Sequence, residues 1–284
     1  MYAVTGASGQ LGRLVIDALL ATVEPGAIVA LVRDPAKLAD LESRGVHVRA
    51  FDYGKADTLV PALDGVKRLL LISSSEVGQR EAQHRAVIAA AKAAGVGFLA
   101  YTSILHADSN SLDLAVEHRA TEAAITQSGL PHALLRNGWY IENFTMNAGA
   151  EVEHGAVMGS AGAGRISAAT RADYAAAAAA VLTGPISGSQ IYELAGDESF
   201  TLSDYAAALA AASGKPVVYM DMPQADFCGA LEGIGVPAPW PAILSETSAK
   251  IALDVLYDDG RALNTLIGRP TTSLAEGVKS ALAE

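Results

Sequence analysis

Through the first half of the chain, short apolar runs alternate with longer stretches whose apolar positions recur at helical spacing. The runs Tyr2–Thr5, Ile28–Val32, Val46–Ala50, Arg68–Ile72, Phe98–Thr102 and Ala133–Arg136 predict strands. Ala30-Leu31-Val32 and Leu69-Leu70-Leu71-Ile72 are apolar without a break, the pattern of strands covered on both faces in a parallel sheet. Between the runs, helical spacing predicts helices over 10–20, 35–43, 55–63, 81–94 and 117–128. Strand and helix in strict alternation imply right-handed crossovers and a doubly wound α/β sheet.

Local chemistry supports several boundaries. Asp34-Pro35 reads as an N-cap followed by proline at the first helical position. Gly95 and Gly129 each follow a helical stretch and suit a left-handed C-terminal cap. From about Asn137 the rhythm changes. Glycines crowd at 155, 159, 162 and 164, then an alanine helix (171–182), a strand (190–194), a helix (202–213) and a strand (217–220) are expected. The proline-rich 236–241 reads as a turn-laden loop. The expected organisation is a Rossmann domain over 1–136, with 156–195 partly returning to it, and a smaller α/β substrate-binding part over 137–284.

Composition narrows the function. Of 284 residues, 51% are hydrophobic and 18% charged, enough apolar material for a buried core and too much for a disordered chain. The formal charge of -11 argues against nucleic acid or anionic lipid as the main partner. One cysteine, Cys228, excludes an internal disulfide framework, and a reducing cytoplasm fits. The apolar stretch 174–182 falls far short of the roughly 20 residues of a membrane span. No basic head or apolar leader precedes the first strand, so no secretory signal is expected.

The main chemical signal is Thr5-Gly6-Ala7-Ser8-Gly9-Gln10-Leu11-Gly12, a G-x-x-G-x-x-G turn between a strand and an amphipathic helix. Gly6 permits the tight turn, Gly9 lets a diphosphate approach the main chain, and Gly12 lets helix and strand pack closely. The N–H groups at the start of the helix and the positive end of its dipole then face the phosphates. After the second strand stands Arg33, where an NAD-specific protein usually carries an acid. A guanidinium there suits the 2′-phosphate of NADP; a solvated surface charge is the alternative. Asp52-Tyr53, Ser73-Ser74-Ser75, Tyr101-Thr102-Ser103 and Arg136-Asn137-Gly138-Trp139-Tyr140 end the third to sixth strands, at the sheet edge where such folds bind ligands. Tyr53 suits either an adenine contact or a half-buried structural ring.

The runs Leu70-Leu71-Ile72-Ser73-Ser74-Ser75-Glu76-Val77-Gly78-Gln79-Arg80, Tyr101-Thr102-Ser103 with His106-Ala107-Asp108, Leu135-Arg136-Asn137-Gly138-Trp139-Tyr140 and Thr170-Arg171-Ala172-Asp173-Tyr174 resemble the NmrA-like atypical short-chain dehydrogenases/reductases. Within that branch they look like the bacterial type-2 NADPH:quinone oxidoreductases, with similarity running on to Leu266–Thr272. The resemblance implies an NADPH-dependent enzyme that reduces a quinone to a hydroquinone. It implies cofactor contacts from Gly6, Ala7, Ser8, Gly9, Gln10 and Leu11, from Arg33, from Ser73, Ser74 and Ser75, and from Asn137, Gly138, Trp139, Tyr140, Ile141 and Glu142. Triphenylmethane-dye reductases are cousins in fold and hydride chemistry.

The Tyr-x-x-x-Lys pair of the wider superfamily is absent: the corresponding helix reads Glu117-His118-Arg119-Ala120-Thr121-Glu122. A quinone accepts hydride without a lysine-stabilised tyrosinate, so the protein chiefly has to orient two rings in a water-poor slot. Ser75 and Tyr140 are the candidates to line it, with His106 a weaker one. The six histidines, at 47, 84, 106, 118, 132 and 154, show no metal-binding spacing, so no metal is expected. The competing function is an NADP(H) redox sensor that reports to a protein partner without catalysis. Which quinone, dye or other acceptor is used, and the oligomeric state, are open at this level.

Overall fold

The expected alternation is realised from the first residues in the structure, a computed structural model that describes residues 1–283. Strand β1 (Tyr2–Val4) turns through the glycine motif into α1 (Gln10–Leu20). It is followed by β2 (Ile28–Val32), α2 (Ala39–Ser43), β3 (His47–Ala50) and α3 (Ala56–Ala62). The series continues through β4 (Arg68–Leu71), α4 (Arg80–Ala93), β5 (Phe98–Ile104), α5 (Leu114–Ser128) and β6 (His132–Asn137). Next come α6 (Ile141–Thr145), α7 (Ala148–His154), β7 (Ala156–Gly159), α8 (Arg171–Thr183) and β8 (Gln190–Leu194). The chain then runs through α9 (Leu202–Ser213), β9 (Val218–Asp221), α10 (Gln224–Gly233), α11 (Trp240–Ile251), α12 (Ala262–Ile267) and α13 (Leu274–Ala281).

One seven-stranded parallel sheet has the order β3-β2-β1-β4-β5-β6-β8. The chain works outward from β1 in one direction through β3 and then restarts at β4 in the other. The switch point between β1 and β4 therefore opens a crevice at the strands' carboxyl ends. Every residue of β2 is buried, as are Leu69, Leu70 and Leu71 of β4, which accounts for their unbroken apolar runs; β5 and β6 are buried throughout as well. On one face Val15, Ile16 and Leu19 of α1 pack with Tyr174, Ala178 and Leu182 of α8. On the other, Leu59, Val87, Ile88 and Ile125 cover Leu69, Leu71 and Leu99.

Of the segment 156–195, α8 and β8 return to the main sheet, whereas β7 pairs with β9 in a separate two-stranded parallel sheet. That small sheet and α9 share a third cluster with the sequence that follows, around Val157, Phe200, Leu209 and Val217.

Several predicted boundaries move. The helix expected over 35–43 is a 3-10 turn, Pro35–Leu38, followed by the short α2. Asp34 does cap it, its Oδ1 accepting from the Ala36 N–H at 3.2 Å. Helix α5 starts at Leu114 instead of Glu117, which adds a turn facing the crevice. The proline-rich loop ends at Pro239, and Trp240 opens α11 with Pro241 in its first turn, a position that needs no donor. Gly95 and Gly129 take left-handed caps, at φ +71° and +75°.

Candidate functional site

The glycine turn is built as its spacing demands. Gly6 sits at φ +59°, a left-handed conformation that favours glycine. A Cβ on Gly12 would lie 2.3 Å from the Gly6 carbonyl oxygen, so any side chain there would push α1 off β1. The N-cap residue of α1 is Gly9; no side chain caps the helix and its first turn carries no acid. The first N–H groups of a helix have no partner within it. Here they are left without a protein counter-charge, the donor set an anion needs.

From this turn a cleft of about 650 Å³ runs along the carboxyl edge of the sheet, a volume in the range of small-molecule sites. Gly6, Ser8, Gly9, Gln10 and Leu11 line it, together with Arg33, Ser73, Ser74, Ser75, Asn137, Gly138, Trp139 and Tyr140. The remaining expected residues serve it from behind. Ala7 is fully buried and its N–H donates to the Leu31 carbonyl. Ile141 is buried against Gly277 of α13. Glu142 turns away and accepts from the Arg171 N–H at 2.9 Å.

Arg33 is 70% exposed and donates through Nη1 to Glu76 Oε1 at 2.9 Å, across one end of the cleft. Glu76 is held in turn by the Gln83 amide at 2.7 Å. An exposed pair like this is worth about 0–1 kcal/mol, so a phosphate can displace the carboxylate at little cost. Tyr53 lines the same end, but its hydroxyl donates inward to Thr5 Oγ1 at 2.6 Å. Burial raises that phenol's pKa, so it stays protonated. The serine loop is braced from below: the Ser73 N–H donates to Thr102 Oγ1 and the Ser74 N–H to His84 Nε2.

At the other end Tyr140 stands edge-to-face with Tyr174, and the Arg171 guanidinium lies over its ring at 4.5 Å. Arg171 also donates to Asn143 Oδ1 at 2.7 Å, which leaves the Asn143 amide N–H groups free to donate elsewhere. Asn143, Arg171, Gln79, Leu114 and His118 all line the cleft and were not among the expected site residues. For Leu114 and His118 the signal was helical: four residues apart, they share a face. For Asn143 and Arg171, 28 positions apart, no local pattern exists.

His106 does not line the cleft. Its N–H donates to Glu193 Oε2 at 2.8 Å and its Nε2 lies 3.2 Å from Asp258 Oδ2, fastening the loop after β5 to the C-terminal segment. Arg136 also turns below the floor. It forks onto both oxygens of Glu122, at 3.0 and 2.8 Å, and reaches Glu193 at 2.7 Å and Asp108 at 3.1 Å. These acids raise the guanidinium's pKa, and the guanidinium in turn holds the Asp108 carboxyl below the usual carboxylate range.

A parallel doubly wound sheet, an uncapped glycine-led helix at its switch point and a guanidinium one strand over define a nicotinamide-dinucleotide-binding protein. A family model described as NAD(P)H-binding matches residues 6–185, and the chain belongs to that family. It is 52% identical over 278 residues to quinone oxidoreductase 2 of Escherichia coli, covering 98% of this chain and 97% of that protein. The crystal structure of the NADPH-dependent quinone oxidoreductase of Escherichia coli complexed with NADPH superposes with a TM-score of 0.97 over the whole of both chains, at 52% identity. The Citrobacter triphenylmethane reductase complexed with NADP(H) superposes with a TM-score of 0.95 at 36% identity, covering 99% of this chain and 100% of that one.

The residues present fit such a nucleotide on their own chemistry. Beyond the uncapped helix, Ser73 Oγ and Asn137 Oδ1 belong to cleft residues and are buried without a hydrogen-bond partner among the described residues. Buried polar atoms in this state mark a place where a further group is expected.

Proposed function

We infer that this chain is an NADPH-dependent oxidoreductase that reduces quinones to hydroquinones. The observation that carries the reading is the match, end to end and at 52% identity, to an NADPH-bound quinone oxidoreductase, on a chain whose own cleft is lined by the glycine turn, Arg33 and the serine loop. When bound, NADPH supplies the hydride, and a proton completes the hydroquinone. The chain's residues bind, orient and exclude water. The N–H groups at the start of α1 hold the diphosphate, and Arg33 exchanges Glu76 for the 2′-phosphate. Ser73, Ser74 and Ser75 wall the middle of the cleft, and Asn137–Tyr140 its nicotinamide end.

Ser75 and Tyr140 face the acceptor in this reading. With no Tyr-x-x-x-Lys pair on α5, alcohol oxidation through a tyrosinate has no machinery, whereas an electron-poor quinone needs only orientation and a dry slot. The enclosed Tyr140 phenol, its pKa raised by burial, is a hydrogen-bond donor for an acceptor oxygen. The partner is a small electron acceptor. Among the described residues no helix is long and apolar enough to cross a membrane. The reading places the protein in the cytoplasm, where Cys228, a free thiol, stays reduced.

The test is loss of the dihydronicotinamide absorbance with a panel of water-soluble benzoquinones and naphthoquinones. Turnover faster with NADPH than with NADH is expected. No turnover, together with equal affinity for NADP and NADPH, would overturn the enzyme reading in favour of an NADP(H) sensor.

A further inference from the structure

Helix α5 turns Leu114 and His118 into the cleft, and His118 is the one with a polar group to offer. It is 5% exposed. Its Nδ1 faces away from the cleft, 2.8 Å from the buried Tyr101 hydroxyl of β5. Its Nε2 has no hydrogen-bond partner among the described residues and is not sealed off with the buried unpartnered atoms, so it opens on the cleft.

The neighbouring hydrogen bonds decide which nitrogen carries the proton. The Ser74 backbone N–H can only donate, so His84 Nε2 is bare and accepts it at 3.0 Å. Burial lowers the pKa of His84 to about 4, so the ring is neutral and its proton sits on Nδ1, donated to Thr121 Oγ1 at 2.9 Å. The Thr121 hydroxyl spends its own hydrogen on the Glu117 carbonyl, also at 2.9 Å. The fully buried Tyr101 hydroxyl has the Ser73 and Thr121 hydroxyls near it, but among the described residues the one hydrogen bond it completes is to His118 Nδ1 at 2.8 Å. A buried hydroxyl hydrogen is costly to leave unpaired. Tyr101 therefore donates, and the neutral His118 carries its proton on Nε2, aimed at the ligand.

Strand order says which part of the ligand lies there. The adenosine end is marked by Arg33 after β2, the diphosphate by the turn after β1, and the nicotinamide ring by Asn137–Tyr140 after β6. His118 rests on β5 beside the serine loop that follows β4, between the diphosphate and the ring. The covalent piece between those two is the nicotinamide ribose, whose hydroxyls accept hydrogen bonds.

We propose that His118 is a cofactor-contacting residue whose Nε2–H donates to a hydroxyl of the nicotinamide ribose, and that Tyr101 is a positioning residue that holds the ring in this tautomer. The inference rests on NADPH as the occupant of the cleft, so its test reads binding and not turnover. Calorimetry on the full chain compares NADPH with an analogue that lacks the hydroxyls of the nicotinamide ribose. Wild type binds the analogue about tenfold more weakly. His118→Phe binds NADPH about tenfold more weakly and no longer distinguishes the two nucleotides, while His118→Gln, which keeps a donor, retains most of the discrimination. Tyr101→Phe, the variant to use if His118→Phe does not fold, leaves the imidazole in place and loses part of the discrimination. Unchanged NADPH affinity in His118→Phe, or discrimination that survives it or is untouched in Tyr101→Phe, overturns the assignment. A protein that passes this test but reduces no quinone would overturn the proposed activity and leave His118 assigned.

Discussion

In the proposed reading, Arg33 concentrates the nucleotide selectivity in one side chain. Its guanidinium is already oriented by Glu76 and needs only to change partners when a 2′-phosphate arrives. Reversing the charge turns an attraction into a repulsion: Arg33→Glu should raise the KM for NADPH at least tenfold and leave that for NADH within about threefold, a shift of roughly 1.4 kcal/mol or more in preference. Steady-state kinetics with both nucleotides check this, and equal changes would contradict it. Most of the residues that line the cleft were legible in the chain because each follows a strand, and the carboxyl ends of parallel strands meet at one edge. Ala7, Ile141 and Glu142 lie in the same segments but point elsewhere, because adjacent residues in a tight turn or at a helix start face different ways. His106 stood in a motif without reaching the cleft, since Glu193 and Asp258 claim it.

At the level of elements, the site depends on a buried clamp as much as on its lining. Arg136 of β6 binds Glu122 of α5, Glu193 of β8 and Asp108 of the loop after β5, and so fixes the two final strands of the sheet beneath Asn137–Tyr140. Ser103 adds a hydroxyl to Glu122 at 2.5 Å. Removing the cation leaves the buried Glu122 carboxylate uncompensated, which typically costs about 3–5 kcal/mol. Arg136→Met should therefore lower the unfolding free energy obtained from urea denaturation by that amount while changing the volume little; a loss under 1 kcal/mol would show that the clamp contributes nothing net. The clamp also shows what periodicity misses. The two extra residues of β5, Ser103 and Ile104, were not anticipated, because what extends the strand is their pairing with Arg136 and Asn137 of β6, far along the chain.

Across the whole molecule, two buried histidines couple folding to pH. Burial and the nearby Arg80 lower His84 to about 4 and His118 to about 3, whereas an unfolded imidazole titrates near 6.5. Between those values the unfolded chain binds more protons than the folded one, so stability rises with pH through this window and levels off above about 6.5. At about 1.4 kcal/mol per pH unit, each histidine costs roughly 2 kcal/mol by pH 5. Urea unfolding from pH 7 to 5 should show the decline, and His84→Gln should flatten it by about half; a flat wild-type profile would refute the linkage.

By itself the sequence determined the alternation of strand and helix, the glycine turn and the basic residue one strand over. These are local: a period of 2 or 3.6, a missing Cβ and a charge at a strand end act through neighbours in the chain. Only tertiary structure decided that β8 closes the sheet beside β6, that Arg171 would meet Asn143, and that Tyr101 would set the proton on His118. Such contacts join residues far apart in the chain, or depend on which way a side chain turns once the core has packed, and no short-range pattern encodes either.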